Sequence, residues 1–380
     1  MPESPSIAAR VATTLRDAGP ATITDLTRSL AVSRTSVEKA LSILETSGMI
    51  AGGIAPATGA GRPARRYEFA AASASVVGVD IGAATVRVLV CDLAGRVVRH
   101  ETHPGITGQT DGAAQLSAVI EHIRAALDGL PPARAVGASL PGIVDDAGRV
   151  IASVVIPEWS GIDIGARLRD ALGCPVSVDN GVRLAAVAEH HLGAAQHVDD
   201  LLYVSVGNRI AMGLILGGVP RRGIHHAAGD IGRLAFRELT DATGELRWRS
   251  APSGAQVFSR ARAGDAQAVA ELRTFIDELA QGIALLTMTV DPSMIVIGGG
   301  LSEAHDELIS PLRSALDRSI GMPFPLSVTE ARLGAAAAAH GALVLAFDRL
   351  GPHIHAVAGM PVPPIEPRPQ TTASRKEDPT

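Results

Sequence analysis

The chain has 380 residues, with 34 basic and 39 acidic side chains, a formal charge of −5, 46% hydrophobic and 19% charged residues. This balance excludes a wholly disordered chain, and the length is too great for one ordinary core, so two or three domains are expected. No signal-peptide pattern opens the sequence and no apolar run reaches membrane-spanning length, so a cytoplasmic protein with no membrane partner is expected. Aromatics make up only 3%, and Ala, Val and Gly dominate, which suits an α/β architecture packed from small aliphatics. Cys91 and Cys174 are the only cysteines and both lie in apolar, strand-like sequence, which argues for buried thiols and against a disulfide framework or a thiolate zinc site.

Charge is uneven along the chain. Residues 1–72 hold eight basic and six acidic side chains, +2, which leaves −7 for the remainder. In this first part "SPSIAARVATTLRDAG" offers Ser4 as an N-cap and Pro5 at the first helical position, then Ile7, Val11 and Leu15 on one face before Gly19. "TITDLTRSL" puts Ile23, Leu26 and Leu30 on one face. A tight turn at Ala31–Val32 leads to a third helix with Val37, Leu41 and Leu44 inward. The second and third helices resemble a helix-turn-helix, in which Ser33, Arg34, Thr35, Ser36 and Lys39 would face DNA. "MIAGGIAPATGAGRPARRYEFA" then reads as two short β segments around a glycine-rich turn, similar to the wing of a winged helix. Arg62, Arg65 and Arg66 would grip phosphate, with Arg62-Pro63 similar to a minor-groove arginine clip. A solvated basic loop is the alternative, and the three preceding helices weigh against it.

From Val76 strands and helices alternate. "SVVGVDIGAATVRVLVCDLAGRVV" reads as two strands joined at Gly82, with Asp80 ending the first and Asp92–Gly95 turning into a third. "AVGASLPGIVDDAGRV" is a strand, a Pro-Gly turn and an Asp-rich hairpin, and "CPVSVDNGVRLAAVAEHHLGAA" is a strand running into an Ala-rich helix. Leu201–Phe236 is a strand pair followed by a loop, and "DPSMIVIGGGLSEA" is a strand ending in three glycines, where backbone can approach a nucleotide or another chain. Taken in this order, residues 1–348 resemble a ROK-family protein (repressor, open reading frame, kinase) of the branch with an N-terminal winged helix. The resemblance implies a two-lobed actin-like fold of the sugar kinase/Hsp70/actin superfamily. In kinase members a sugar and ATP cleft lies between the lobes; repressor members are sugar-responsive DNA-binding dimers or tetramers.

Against the family pattern several stations differ. Kinase members carry an Asn-Asp-x-Asn segment at the head of the Ala-rich helix; here Asn180 is kept, Gly181 stands at the catalytic Asp and Arg183 at the second Asn. Asp179 is the nearest carboxylate, and phosphoryl transfer tolerates little displacement of its base. The first phosphate loop keeps Asp80 and Gly82 but has Ala83 and Ala84 after them; the second keeps Gly207 and has Asn208, Arg209 and Ala211. Arg233 occupies the position of the family's zinc histidine, and no cysteines follow it. A protein that is no enzyme, with no metal and no cofactor, is therefore expected. Asp230 stands where the family's sugar-binding Glu lies. Asn180, Asp230, Asp179 and His226 are the candidate ligand residues, with His225 and Glu158 beside them in a cleft; solvated loop residues are the other reading, and the one preferred for His190 and His191.

The organisation expected is a winged helix over 1–72, a first lobe over 76–180 recovering 333–348, a second lobe over 181–332 and a disordered tail over 351–380. The functional expectation is a transcriptional regulator, a repressor, acting on double-stranded DNA at a palindromic operator as a homodimer or tetramer, with a sugar or sugar phosphate as possible effector. An active ATP-dependent sugar kinase, or a ligand-independent regulator using the ROK region as scaffold, are the alternatives.

Overall fold

The computed structural model describes residues 5–54, 65–106, 111–301, 305–321 and 326–366. Its first unit consists of α1 (Ile7–Ala18), β1 (Ala21–Thr22), α2 (Ile23–Leu30), α3 (Arg34–Thr46), β2 (Ile50–Ile54) and β3 (Arg65–Phe69), with the strands antiparallel in the order β1-β3-β2. Ser6 caps α1, its hydroxyl accepting from the Ala9 amide at 3.1 Å; the Ser4 proposed for this role lies outside the described residues. Thr22 and Asp25 form a reciprocal capping box on α2, and Ala31 at φ 53° ends that helix and makes the turn tight. Val11, Leu15, Leu26, Val37, Leu41 and Leu44 are buried together, so the apolar stripes meet as one core.

Two larger sheets follow. The first is built from β4 (Ser75–Ile81), β5 (Thr85–Asp92), β6 (Val97–Pro104), α4 (Gly112–Leu127), β7 (Ala133–Leu140), the hairpin β8 (Ile143–Val144) and β9 (Val150–Ala152), α5 (Ile164–Leu172) and β10 (Val176–Asn180). Its strand order is β10-β7-β4-β5-β6. Next come α6 (Gly181–His191), β11 (Leu201–Val206), β12 (Ile210–Leu216), β13 (Val219–Pro220), α7 (Gly232–Ala235), α8 (Gly254–Arg262), α9 (Ala266–Val290), β14 (Met294–Gly298), α10 (His305–Ile320) and β15 (Ser327–Glu330), with strand order β13-β12-β11-β14-β15. In each sheet a meander of three antiparallel strands is extended by two parallel ones, so one topology occurs twice. This repetition is the two-lobed, actin-like architecture that the sequence resemblance implies.

α11 (Ala337–His355) returns to the first sheet. Val77, Val79 and Ile81 of β4 face α4, whereas Val76 faces the α11 side with Ala339, Leu343 and Phe347. The helix lies so close that a Cβ on Gly137 would run into the carbonyl oxygen of Ala342, and one on Gly341 into that of Leu184. At the far end of α6 the buried Glu189 carboxylate accepts from the amides of Ala194 (2.8 Å), Arg332 (3.1 Å) and Leu333 (2.8 Å), fixing the chain where it re-enters the first lobe.

Residues 351–366 depart from the expectation of disorder, and the rest of the expected tail lies outside the described residues. Gly351–His355 complete α11 through Pro352, and residues 356–366 continue to a parallel bridge between Arg96 and Glu366. Val357 and Ile365 are buried in the core that also holds α1, α3, β3 and the α11 face of the first sheet. The prolines conceal a sparse apolar pattern that needs this partner to be bound. Arg134 on β7 ties the same region together, donating to the carbonyls of Ser47 (3.2 Å) and Ile354 (2.8 Å) and lying 3.0 Å from Met49 Sδ. The winged-helix unit thus rests on the first lobe through a shared core.

Candidate functional site

On the first unit, Ser33 and Ser36 are spent on the start of α3: the Ser33 hydroxyl accepts from the Ser36 amide at 3.1 Å and lies 2.8 Å from its hydroxyl. Arg34, Thr35 and Lys39 are exposed on its first turns, and Arg34 pairs with Glu38 at 2.9 Å. Of the wing arginines, Arg65 pairs with Glu45 and lies 5.0 Å over the Tyr67 ring, while Arg66 donates to the Pro20 carbonyl at 2.7 Å. Both are therefore fastened within the unit. Arg62 lies outside the described residues.

Between the sheets, Asn180 ends β10 and caps α6: its Oδ1 accepts from the amides of Val182 (3.0 Å) and Arg183 (3.1 Å), and its Nδ2 donates to Gly142 O at 2.8 Å. Gly181 is the first residue of α6, and a Cβ there would lie 2.9 Å from Ser139 Oγ and 3.8 Å from Asp80 Oδ1. Asp80 accepts from Ser139 Oγ at 2.7 Å, with Arg87 at 3.8 Å, and burial pushes its carboxyl above the usual range. This sets a hydrogen-bonding carboxyl group beside the Asn180-capped start of α6.

Asp179 is in register with Ser139, itself in register with Asp80, so its side chain lies on the same face of the sheet, toward α11. Its buried carboxylate is held by Arg183 and Arg222, with Arg349 of α11 at 3.9 Å, and its Oδ1 accepts from the Asn180 amide at 2.7 Å. Arg183 also donates to the carbonyl of His226 at 3.0 Å, and Arg222 to Asp146 in the turn between β8 and β9. His226 has φ 56° and a buried Nδ1 without a hydrogen-bond partner. Asp179, Asn180 and His226 are thus joined through Arg183, whereas Asp230 is exposed and makes no hydrogen bond or ion pair to them among the described residues. Glu158 belongs elsewhere, to a cavity of about 480 Å³ lined also by Asp111, Trp159 and Arg167. Reading the sequence overlooked Arg222, Arg349 and Asp146; the dipeptide Arg221-Arg222 before Gly223 was a visible signal, but Arg349 has none outside the fold.

Of the loops that resemble phosphate loops, the first turns at Gly82, whose amide donates to Thr85 O at 2.9 Å. In the second, the Gly207 amide donates to Arg209 O at 3.0 Å, while the Arg209 side chain is drawn off to Glu245 at 3.0 Å. Cys91 and Cys174 are buried thiols, each with its pKa raised by burial. Among the described residues no three His, Cys, Asp or Glu side chains converge as a metal site, and no helix is long and apolar enough to cross a membrane.

The ROK family model matches residues 76–244 and 235–349. The chain belongs to the ROK family. Among curated ROK relatives, a glucokinase of Halalkalibacterium halodurans is 26% identical over 62% of this chain and 83% of its own length, and a kanosamine kinase of Amycolatopsis mediterranei is 29% identical over 62% and 84%. The xylose repressor of Bacillus subtilis is 21% identical over 64% of this chain and 69% of its own. A ROK family transcriptional regulator described as a homologue of the E. coli MLC protein superposes with a TM-score of 0.70 at 20% identity, covering 92% of this chain and 98% of that one. ROK hexokinase from Thermus thermophilus gives a TM-score of 0.59 at 27% identity, over 73% and 99%. The expectation that this ROK chain is no enzyme is overturned by these relatives, since named sugar kinases stand among the curated proteins and the solved structures it matches. A changed motif read in isolation does not exclude a family's activity.

Proposed function

We propose that this ROK protein is a DNA-binding transcriptional regulator, a repressor, whose ROK region takes up a sugar or sugar derivative. The observation that carries this reading is the winged-helix unit ahead of the two lobes, with Arg34, Thr35 and Lys39 exposed at the start of α3. It is supported by coverage: the superposition on the regulator spans 92% of the chain, the one on the hexokinase 73%. In a helix-turn-helix the exposed start of the second helix reads base edges in the major groove, with Ser33 and Ser36 shaping that start and Arg62, Arg65 and Arg66 on the wing side. Asn180, Asp179, His226 and Asp230 are the ligand residues of this reading. As a homodimer or tetramer on a palindromic operator, the protein would lose DNA affinity when ligand favours the lobe arrangement that misplaces its winged helices. Fluorescence anisotropy of the full chain on genomic duplexes tests it: sequence-dependent binding that falls steeply with salt is expected, and equal, weak binding to all duplexes contradicts it.

The kinase names among the relatives favour a second reading, an ATP-dependent sugar kinase carrying a DNA-binding unit. A coupled ATP-consumption assay over glucose and kanosamine tests it directly: turnover supports this reading, and absence of turnover on a broad sugar panel counts against it.

A further inference from the structure

We propose that Arg222 and Arg349 form a receptor for an oxyanion, a phosphate or carboxylate borne by a small molecule, and that Asp146 occupies its place in the unliganded protein. Both guanidinium groups converge on one oxygen, Asp179 Oδ2, where Arg222 makes a close ion pair and Arg349 stands 3.9 Å away. Arg183 takes the other oxygen of the same carboxylate. Three guanidinium groups surround one buried carboxylate, with Asp146 and Asp348 the further carboxylates acting on Arg349, and buried or half-buried guanidinium groups require partners. The N-terminus of α6, capped by Asn180 beside this cluster, adds to the positive potential.

Asp146 is the only further carboxylate that pairs with Arg222 among the described residues, and its charge also acts on Arg349. Its side chain is 76% exposed, whereas those of Arg222 and Arg349 are 13% and 32% exposed. A pair with one partner so open to water is weak and exchangeable. Two adjacent guanidinium forks match an oxyanion better than Arg222 alone matches the exposed Asp146, and Arg349, 3.9 Å from Asp179, makes no hydrogen bond of its own among the described residues. An incoming oxyanion would take the Asp146 position on Arg222 and supply Arg349 with its missing acceptors. The receptor bridges three elements: the turn between β8 and β9, the loop after β13, and α11.

The location has a consequence that rests on the regulator reading. Arg349 precedes Ile354 and His355 by five and six residues on α11, about 9 Å at the helical rise, and those two residues adjoin Arg134 and Phe69 under the winged helix. One helix therefore joins the receptor to the DNA-binding unit.

The test uses the full chain and isothermal titration with inorganic phosphate at constant ionic strength. D146N should bind phosphate about tenfold more tightly than the parent and R349Q about tenfold more weakly, the effect of adding or removing one charge-assisted contact. Glucose 6-phosphate, gluconate and glucose are titrated in parallel, and at least one of the two anions should bind more tightly than uncharged glucose. The melting transition of both variants verifies folding, and Arg349 is exposed enough for its substitution to be tolerated. Equal phosphate affinities in parent, D146N and R349Q, no binding by any of them, or glucose binding as tightly as both anions would overturn the proposal. DNA affinity is measured separately: its absence with phosphate binding intact contradicts the regulator reading and leaves the receptor standing.

Discussion

The imidazole of His355 stacks on Phe347 with ring centroids 5.7 Å apart and an interplanar angle of 22°. Phe69 of β3 lies 6.5 Å from the same ring, tilted by 52°, so the last turn of α11 meets the wing strand through one aromatic cluster. Burial, together with the nearby Arg16 and Arg134, lowers the His355 pKa from 6.5 to about 4. The neutral ring is the form that folds, so its contribution is complete above about pH 6.5 and is lost as the pH falls toward 4, with a ceiling of about 3 kcal/mol. Urea denaturation at pH 7.5 and pH 4.5 should show a larger loss for the parent than for His355→Phe, and equal losses would contradict this environment for the ring.

Arg134 is the other fastener of that junction. Replacing it with Ala removes its donations to Ser47 and Ile354 and should loosen the winged helix by about 2–4 kcal/mol, two charge-assisted hydrogen bonds in a part-buried setting. Hydrogen exchange should quicken in α1 and α3 while the amides of β11 and β14 stay protected. Uniform acceleration through both lobes would show that the change acts on global stability instead.

Close approach of α11 to the first sheet predicts a cost at Gly137. The added methyl of Gly137→Ala meets the backbone oxygen of Ala342, which no rotamer change can move aside, so a loss of about 2–3 kcal/mol is expected in denaturant titration. Glu189→Ala removes the acceptor of three amides, one of them buried and two part-buried, and should cost about 2–3 kcal/mol, with Glu189→Gln recovering part of it. Midpoints unchanged in both variants would contradict this packing.

On DNA, the two exposed cations of α3 should separate by type of contact. Arg34→Ala or Lys39→Ala costs about 1–3 kcal/mol at one base position if the side chain reads a base, and a uniform loss over all sequences if it binds phosphate. Arg34 is held to Glu38 in the free protein, so Glu38→Ala should raise its availability and modestly tighten binding. Anisotropy on single-substituted duplexes distinguishes these outcomes.

Much of the architecture is legible in the chain because its signals are local. The stripes Ile23/Leu26/Leu30 and Val37/Leu41/Leu44 specify α2 and α3 in turn, and the turn residue Gly82 separates β4 from β5. Strand β1 was not legible: two residues, Ala21 and Thr22, become a strand only by pairing with Tyr67 and Arg66. The order of residues 351–366 is not legible for the same reason, since Val357 and Ile365 acquire meaning only against the core they join. At the site, Asn180 stood out by its place before an Ala-rich helix, but its role as the cap of α6 and the pairing of Asp179 with arginines from positions 183, 222 and 349 depend on tertiary placement. Sequence spacing encodes helix faces, not which loops return to a strand edge.

The central claim is that the winged helix reads DNA sequence. The most direct measurement is selection of bound duplexes from a random library with the full chain, followed by anisotropy on the enriched site with the parent and with the double substitution Arg34→Ala, Lys39→Ala. The expected result is an enriched inverted repeat with half-sites about one helical turn or a multiple apart, bound at least about a thousandfold more tightly than scrambled DNA and weakened by the double substitution. Recovery of no motif, or a motif bound equally well by the substituted protein, would contradict it.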